Sequence, residues 1–237
     1  MGAAGSTDSK VAIVTGGCGN LGRGVCRALT KAGFTVVAFD IDTSKADGVE
    51  RAITVDVTDP AACATAVDEV VRDFGGVDAL VNMAQKIIIQ TPLLELTDEH
   101  MRASFESGPM ATLRMIQLCH PHMRVRGGGS VVNFASQAGT WGNVGMGAYG
   151  AAKEAIRGIT KCASLELGKD NIRVNAVCPV AFSDPTSTWA QRSLAENPLG
   201  RVGDPETDIG GAVVFLAGPM WINGRTIHVD GGTGSFR

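Results

Sequence analysis

The chain of 237 residues has few aromatic side chains, few charges and no long hydrophobic run. Its longest nearly apolar stretch, residues 211–222, spans 12 residues and contains a proline, whereas a helix that crosses a bilayer needs about 20 apolar residues. We therefore expect no membrane partner. The formal net charge is −3 and the lysines and arginines form no long basic run, which argues against a nucleic-acid partner.

Paired cysteines and a secretion signal are missing as well. The six cysteines are scattered, and none belongs to a Cys-x-x-Cys pair. Residues 1–10 have neither the basic start nor the apolar segment of a signal peptide. Because single thiols without a signal are typical of the reducing cytosol, the sequence predicts a cytoplasmic protein. His120 and His122 have the only metal-like spacing, with no clustered cysteine or carboxylate beside them, so we expect no metal.

Glycine, by contrast, is abundant, with 31 residues, and 44% of the chain is apolar. Short β-branched runs alternate with longer segments of helical periodicity, without an internal repeat or a linker. Strands that are apolar throughout are buried on both faces, and strand–helix alternation favours a parallel sheet. We predict a flexible leader over residues 1–9. Residues 10–237 are predicted to form one α/β domain, a Rossmann-like doubly wound parallel sheet with helices on both faces.

The periodicity also predicts where the elements lie. Asp59 and Pro60 have the N-cap and first-turn positions of a helix, and residues 42–51 are too short for a full helix, which predicts a loop there. The expected strands cover residues 11–15, 34–39, 53–57, 77–81, 130–135, 172–178 and 226–229. The expected helices cover residues 21–31, 60–73, 97–125, 147–168 and 205–217.

A glycine-rich turn follows the first strand and opens the first helix. Gly17, Gly19 and Gly22 have the spacing G-x-G-x-x-G. In this context one glycine makes the tight turn, one lets the backbone approach a pyrophosphate, and one permits close packing of the helix. The free N–H groups at the start of the helix then face the phosphates. The turn therefore predicts a dinucleotide site.

Asp40 ends the second strand, 18 residues after Gly22. A carboxylate at this position accepts hydrogen bonds from the hydroxyls of the adenosine ribose and repels a 2′-phosphate. No arginine or lysine stands at Gly19 or Ile41 to neutralise such a phosphate. Both features favour NAD(H) over NADP(H) as the cofactor.

Tyr149 and Lys153 are four residues apart in a predicted helix, so their side chains share one face. A phenol with a pKa of about 10 is a poor base at neutral pH, but a nearby ammonium and a bound nicotinamide cation stabilise the phenolate. Ser136 lies 13 residues before Tyr149, in the turn after the fifth strand, where its hydroxyl is placed to donate to a substrate oxygen. A Tyr-x-x-x-Lys pair by itself is common, but joined to the glycine-rich turn, Asp40 and Ser136 in this order it is a specific signal.

With these residues the chain resembles the short-chain dehydrogenase/reductase family across essentially its whole length. The turn of that family reads Thr-Gly-x-x-x-Gly-x-Gly, which Thr15, Gly16 and Gly22 match, with Asn20 in place of the middle glycine. Three later segments also resemble family stretches, namely residues 82–85, 171–179 and 228–232.

The resemblance implies roles for individual residues. Tyr149 would be the acid/base, Lys153 would bind the ribose and lower the pKa of the tyrosine, and Ser136 would orient the substrate carbonyl. The implied cofactor-binding residues are Gly16, Gly19, Asn20, Leu21, Asp40, Asp56, Val57, Asn82, Ala84, Tyr149, Lys153, Pro179 and Phe182.

The chain departs from the family at an important position. The family usually carries an active-site asparagine in the long helix, where this chain has Gly108 followed by Pro109. Pro109 removes an N–H and clashes with the carbonyl of Phe105, whereas Gly108 tolerates the bent backbone. We expect the pair to keep the helix kink whose carbonyl holds a relay water in the family. Gln85 replaces a family glycine, and the substrate lid expected near residues 183–200 is short.

The sequence thus predicts an NAD(H)-dependent oxidoreductase that interconverts a secondary alcohol and its ketone. The expected pocket walls carry no arginine or lysine, which favours an uncharged hydrophobic substrate, with cyclic and aromatic compounds as candidates. These walls are Gln85, Gln137, Trp141, Met146, Phe182 and Trp189.

Two alternatives stay open. One is a 3-oxoacyl thioester reductase, against which Asp40 argues because such enzymes usually use NADPH. The other is a catalytically silent nucleotide-binding homologue. The resemblance further implies that the helices over residues 97–125 and 147–168 form a dimer contact, so we expect a homo-oligomer, either a dimer or a tetramer.

Overall fold

A single parallel sheet forms the centre of the molecule. The computed structural model describes residues 9–88, 90–180 and 197–233. The strands in these ranges are β1 (Lys10–Thr15), β2 (Phe34–Asp40), β3 (Arg51–Thr54), β4 (Ala79–Asn82), β5 (Gly129–Phe134), β6 (Ile172–Pro179) and β7 (Thr226–Val229). All their pairings are parallel, in the order β3-β2-β1-β4-β5-β6-β7. This order reverses direction beside β1, so the predicted doubly wound sheet is confirmed.

Helices cover both faces of the sheet. They are α1 (Asn20–Lys31), α2 (Pro60–Phe74), α3 (Asp98–Phe105), α4 (Ala111–Val125), α5 (Gln137–Thr140), α6 (Gly147–Leu167) and α7 (Gly211–Ala217). The carboxylate of Asp59 accepts hydrogen bonds from the N–H groups of Ala61 and Ala62 at 2.8 and 3.1 Å, as its predicted N-cap role requires. Among the helices of the described ranges, none has the length and apolar character that a membrane crossing requires.

Alternate residues of the strands pack into two separate hydrophobic cores, one on each face of the sheet. Ile13 of β1 packs on one face, in a buried cluster with residues of α2 and α4 such as Val67 and Met115. Val14, the next residue, packs on the other face with Leu29 of α1 and Leu216 of α7. Because both faces are covered, the strands are apolar throughout rather than alternating.

The edge strand β3 starts and ends earlier than the predicted range of residues 53–57. Arg51 pairs with Val37 of β2 and forms ion pairs with Glu69 and Asp73 of α2, which extend the strand at its start. At the other end the Asp56 carboxylate accepts from the backbone N–H and the hydroxyl of Thr58, at 2.9 and 2.7 Å. This local turn ends the extended run, since the side chain competes with the strand for backbone groups.

The helix predicted over residues 97–125 is interrupted. A π-helical turn, Glu106–Met110, separates α3 from α4, with Gly108 and Pro109 buried in its centre. Proline cannot donate to the helical ladder, so the break falls where the glycine–proline pair predicts it.

A second π-helical turn, Pro205–Gly210, precedes α7, so the helix predicted over residues 205–217 is also divided.

Substitutions in the glycine turn test how closely α1 packs on it, and Gly22 is the most crowded position. A Cβ atom at Gly22 would lie 2.1 Å from the carbonyl oxygen of Gly16 and 2.8 Å from the Cα of Gly17, both backbone atoms, whereas a Cβ at Gly19 would meet nothing closer than 3.5 Å. We expect Gly22→Ala to lower the free energy of unfolding by about 1–3 kcal/mol or more and Gly19→Ala by about 1 kcal/mol or less. Urea unfolding measures both losses, and equal losses would contradict this account.

Candidate active site

The carboxyl ends of neighbouring strands bring the polar groups of the site together. Thr15 of β1 is in register with Asn82 of β4, and Asn82 is in register with Asn133 of β5. Ligands of doubly wound sheets bind at this edge, where the strand order reverses. The reversal here lies between β1 and β4.

The glycine turn has the shape of a phosphate cradle. Gly16 has a φ of +71°, and a Cβ atom there would lie 3.0 Å from the backbone nitrogen of Ala84, so only glycine fits. Gly19 is the N-cap of α1 and provides no side-chain cap for the N–H groups of the first turn, where Asn20 and Leu21 stand. N–H groups at the start of a helix, beside a residue without a side chain, fit a pyrophosphate.

Asp40 stands at the edge of the cradle as the last residue of β2. One oxygen of its carboxylate accepts from the backbone N–H of Cys18 at 3.0 Å, and the other accepts from the N–H of Asp42 at 3.3 Å. These bonds hold a negative charge beside the glycine turn. The chemistry of this group fits the hydroxyls of a ribose and opposes a phosphate at the same place.

The other predicted cofactor residues are spread along the same edge. Asp56 and Val57 follow β3; hydrogen bonds from Thr58 lower the pKa of the Asp56 carboxyl, and the Val57 carbonyl accepts from Arg114. Pro179 ends β6. Phe182, Trp189 and most of the predicted lid lie outside the described residues.

The side chain of Asn82 is engaged inside the protein. Its Nδ2 donates to Oδ1 of Asn133 at 2.9 Å, and Nδ2 of Asn133 donates to Oγ1 of Thr160 on α6 at 2.9 Å. Thr15 Oγ1 accepts from the N–H groups of Met83 and Ala84, at 3.1 and 3.2 Å. Asn133 and Thr160 were not predicted as site residues from the sequence, although a polar residue inside an otherwise apolar buried strand, as Asn133 is, provides a usable signal.

Ser136, Tyr149 and Lys153 come together where β5 ends. Lys153 Nζ lies 5.5 Å from the centroid of the Tyr149 ring and donates to the carbonyl oxygen of Phe134, the last residue of β5, at 2.7 Å. Ser136 is the N-cap of α5, and its hydroxyl accepts from the N–H of Ala138 at 3.2 Å. Tyr149 is the only tyrosine of the chain. The set joins a phenol, an amine and a hydroxyl within one small space.

Burial is the largest cause of the pKa shifts of Tyr149 and Lys153, which both lie on α6. It raises the pKa of Tyr149 above the ordinary value of 10.0, and a hydrogen bond with Ser136 acts in the opposite direction. Burial lowers the pKa of Lys153 from 10.5 to about 7. The chain by itself therefore keeps the phenol protonated at neutral pH. The lowering of the tyrosine pKa, which the resemblance implies, stays a prediction for the cofactor-bound site.

A second set of polar and aromatic residues lies near the end of β7. Nε2 of Gln137 donates to the carboxylate of Asp230, and the ring of Trp141 stacks on His228 with a centroid distance of 5.9 Å. A cleft of about 570 Å³ opens beside them, lined among others by Val180, Asn197, His228 and Asp230. Gln137 and Trp141 were predicted from the sequence as pocket walls, whereas His228 and Asp230 were not.

A wider cavity of about 900 Å³ lies elsewhere on the molecule. Lys10, Phe34, Gly129 and Ile172 line it, and each stands at the start of a strand. The cavity is therefore at the amino edge of the sheet, opposite to the phenol and the cradle. We assign the chemistry to the carboxyl edge because the titratable groups and the glycine turn are there.

A doubly wound sheet with a glycine turn at this edge is typical of dinucleotide-binding proteins, and comparisons with known proteins agree with this class. A family model described as enoyl-(acyl carrier protein) reductase matches residues 18–234. The chain belongs to the short-chain dehydrogenase/reductase family, whose members are oxidoreductases that generally use NAD(P).

Individual relatives cover almost the whole chain. A 12alpha-hydroxysteroid dehydrogenase of a Clostridium species is 37% identical over 253 residues, with 96% of this chain and 97% of the relative covered. A 3-oxoacyl-(acyl-carrier-protein) reductase of Vibrio cholerae is 32% identical over 240 residues, with 95% and 97% covered. The crystal structure of a candidate short-chain alcohol dehydrogenase of Sinorhizobium meliloti has a TM-score of 0.88 and 28% identity, with 95% of this chain and 96% of that chain covered.

The buried amine of Lys153 makes the stability depend on pH. Its pKa is about 7 in the folded chain, against an ordinary value of 10.5. Between these values the unfolded chain binds a proton that the folded chain does not, so the free energy of unfolding rises with pH. We expect the stability of the wild type, relative to Lys153→Met, to increase from pH 7 towards pH 10. Urea unfolding at several pH values measures this difference, and a constant difference would contradict the desolvation of the amine.

Proposed function

We propose that the protein is an NAD(H)-dependent oxidoreductase that interconverts a secondary alcohol and its ketone, with Tyr149 as the acid/base. The observation that supports this most directly is the joint position of Tyr149, Lys153 and Ser136 at the end of β5. A half-buried phenol beside a buried amine has no evident structural purpose, since each group costs free energy when it leaves water.

The proton chemistry follows from these three side chains. In the reductive direction the Tyr149 hydroxyl gives its proton to the substrate oxygen, and in the oxidative direction the phenolate removes it. The Ser136 hydroxyl donates a hydrogen bond to the same oxygen. Lys153, when protonated, stabilises the phenolate by its charge. The hydride would be supplied or accepted by the nicotinamide of the cofactor when it is bound.

The cradle and Asp40 support NAD(H) as the cofactor. The N–H groups of the glycine turn and of the first turn of α1 would hold the pyrophosphate, and Asp40 would accept from the ribose hydroxyls. Asp56 and Val57 would lie against the adenine. A 2′-phosphate would meet the Asp40 carboxylate, which the N–H of Cys18 keeps in place.

The substrate proposed is an uncharged hydrophobic alcohol or ketone. The expected walls Gln137, Trp141 and Met146 carry no cationic group, and pockets of this kind are mostly apolar. The relative from Clostridium is named for a fused-ring secondary alcohol, so hydroxysteroids and similar cyclic ketones are the first compounds to test. The relative from Vibrio cholerae supports 3-oxoacyl thioester reduction as the second candidate.

The proposal also covers the location, the domain organisation and the assembly of the enzyme. We place it in the cytoplasm, as one domain over residues 10–237 with a lid near residues 183–200. Exposed apolar residues on the two long helices, such as Leu113 of α4 and Leu165 of α6, support a homo-oligomer that pairs these helices.

Tyr149→Phe tests the proton transfer. We expect the variant to reduce a cyclic ketone with a kcat that is lower by about 10²–10⁴-fold, because it cannot give a proton, and to bind NADH with unchanged affinity. Steady-state rates and a fluorescence titration measure the two properties. Turnover that survives the substitution would remove Tyr149 from the mechanism. A wild type that binds NADH but turns over no alcohol or ketone would favour the catalytically silent alternative.

Asp40→Asn tests the choice of cofactor. We expect the wild type to bind NADH at least about tenfold more tightly than NADPH, a gap of about 1.4 kcal/mol. The neutral variant should narrow this gap, because it no longer repels a 2′-phosphate. Asp68→Asn, the same change on the exposed face of α2, is the matched control and should leave the gap as it is. Equal affinities in the wild type would overturn the assignment of Asp40.

A further inference from the structure

The side chain of Gln85 lies directly on the π-helical turn. A Cβ atom built at Gly108 would be 2.9 Å from both Cδ and Nε2 of Gln85, and 3.1 Å from its Oε1. The carboxamide therefore fills the space that a side chain at position 108 would need. Gly108 has no side chain, and the long side chain of Gln85 occupies the space that is left there.

Hydrogen bonds attach the segment after β4 to this turn and to the end of α3 that precedes it. Nε2 of Gln85 donates to the carbonyl of Ser104 at 3.4 Å, and the N–H of Lys86 donates to Oγ of Ser107 at 3.0 Å. Ser107 Oγ in turn donates to the carbonyl of Ala103 at 2.7 Å. The turn also packs against α6, the helix that carries the reacting tyrosine and its lysine.

Packing by itself does not explain a glutamine at this place. Oε1 of Gln85 and Oγ of Ser104 are both buried without a hydrogen-bond partner within the described part of the chain. Buried polar atoms in this state destabilise a fold, and an apolar side chain of the same length would fill the space without that cost. The polar head of Gln85 is therefore retained at the expense of stability.

We propose that Gln85 is a positioning residue, whose carboxamide holds the π-helical turn at Gly108 and thereby sets the position of Tyr149 and Lys153 on α6. The catalytic part of this inference rests on the proposed function. Its structural part, the dependence of the α6 pair on one carboxamide, stands on the contacts above.

The contact with Gly108 provides a way to move the carboxamide without altering Gln85. A methyl group at position 108 would occupy its place, and the end of the glutamine is flexible enough to rotate away. Gln85→Ala and Gly108→Ala then remove the same group from the same position. Substitutions that act on one group have effects on the rate that do not add.

The experiment compares four variants with the wild type by steady-state kinetics and NADH titration. We expect Gln85→Ala, Gln85→Met and Gly108→Ala each to lower kcat by about tenfold or more, since small displacements of reacting groups are costly. The double alanine variant should be no slower than the single variants, and the affinity for NADH should stay the same. Gly158→Ala, a helical glycine of α6 with open space around it, is the matched control and should keep the kcat of the wild type.

Gln85→Met separates the volume of the side chain from its polar head. We expect it to unfold at the same urea concentration as the wild type or a higher one, while its kcat falls. A Gln85→Met variant with the kcat of the wild type would overturn the proposal, because volume alone would then be sufficient. Additive losses in the double alanine variant would also overturn it.

A second readout needs no turnover. The titration of Lys153 can be followed by NMR in the protein with ¹³C-labelled lysine, where burial holds its pKa near 7. We expect the pKa to rise in Gln85→Ala and in Gly108→Ala, because a loosened turn admits water to the amine, and to stay constant in Gly158→Ala. An unchanged titration in the first two variants would overturn the positioning role. A wild type without turnover on any alcohol or ketone would instead count against the proposed function alone.

Discussion

The rest of the site depends on one requirement, that polar groups buried at the end of the sheet must find hydrogen-bond partners within it. Asn82 donates to Asn133, and Asn133 donates to Thr160, so that one chain of bonds joins β4, β5 and α6. All three side chains are buried, so the loss of one partner would leave a buried polar atom unsatisfied. The network therefore fixes α6 against the sheet, and with it the place where a phenol and an amine can meet a substrate.

The two sides of the site are built by different means. On the cofactor side the backbone contributes most: glycines without side chains leave room, and the N–H groups at the start of α1 supply a positive field. On the substrate side the side chains act, through Ser136, Tyr149, Lys153 and the contacts of Gln85. The π-helical turn connects the two sides, because it lies between the segment after β4 and α6.

Much of this could be predicted from the order of residues. Apolar runs of strand length predicted the parallel sheet, and the pair Gly108 and Pro109 predicted where the long helix breaks, because both signals are local properties of the chain. The end of β3 was placed too late, since a hydrogen bond from Thr58 to Asp56 ends the strand and the alternation of residue types does not report it. The partners Asn133 and Thr160 were missed because they are 27 residues apart and meet only through packing.

The sequence by itself determined the fold class, the glycine turn with its acidic residue at Asp40, and the spacing that places Tyr149 and Lys153 on one helix face. These follow from local periodicity and from backbone sterics, which neighbouring residues decide. Only the tertiary structure decided that the carboxamide of Gln85 lies on Gly108, that Asn82 turns into the sheet, and that Lys153 is buried with its pKa near 7. Desolvation and contacts between distant segments depend on which surfaces meet, and no stretch of the chain carries that information alone.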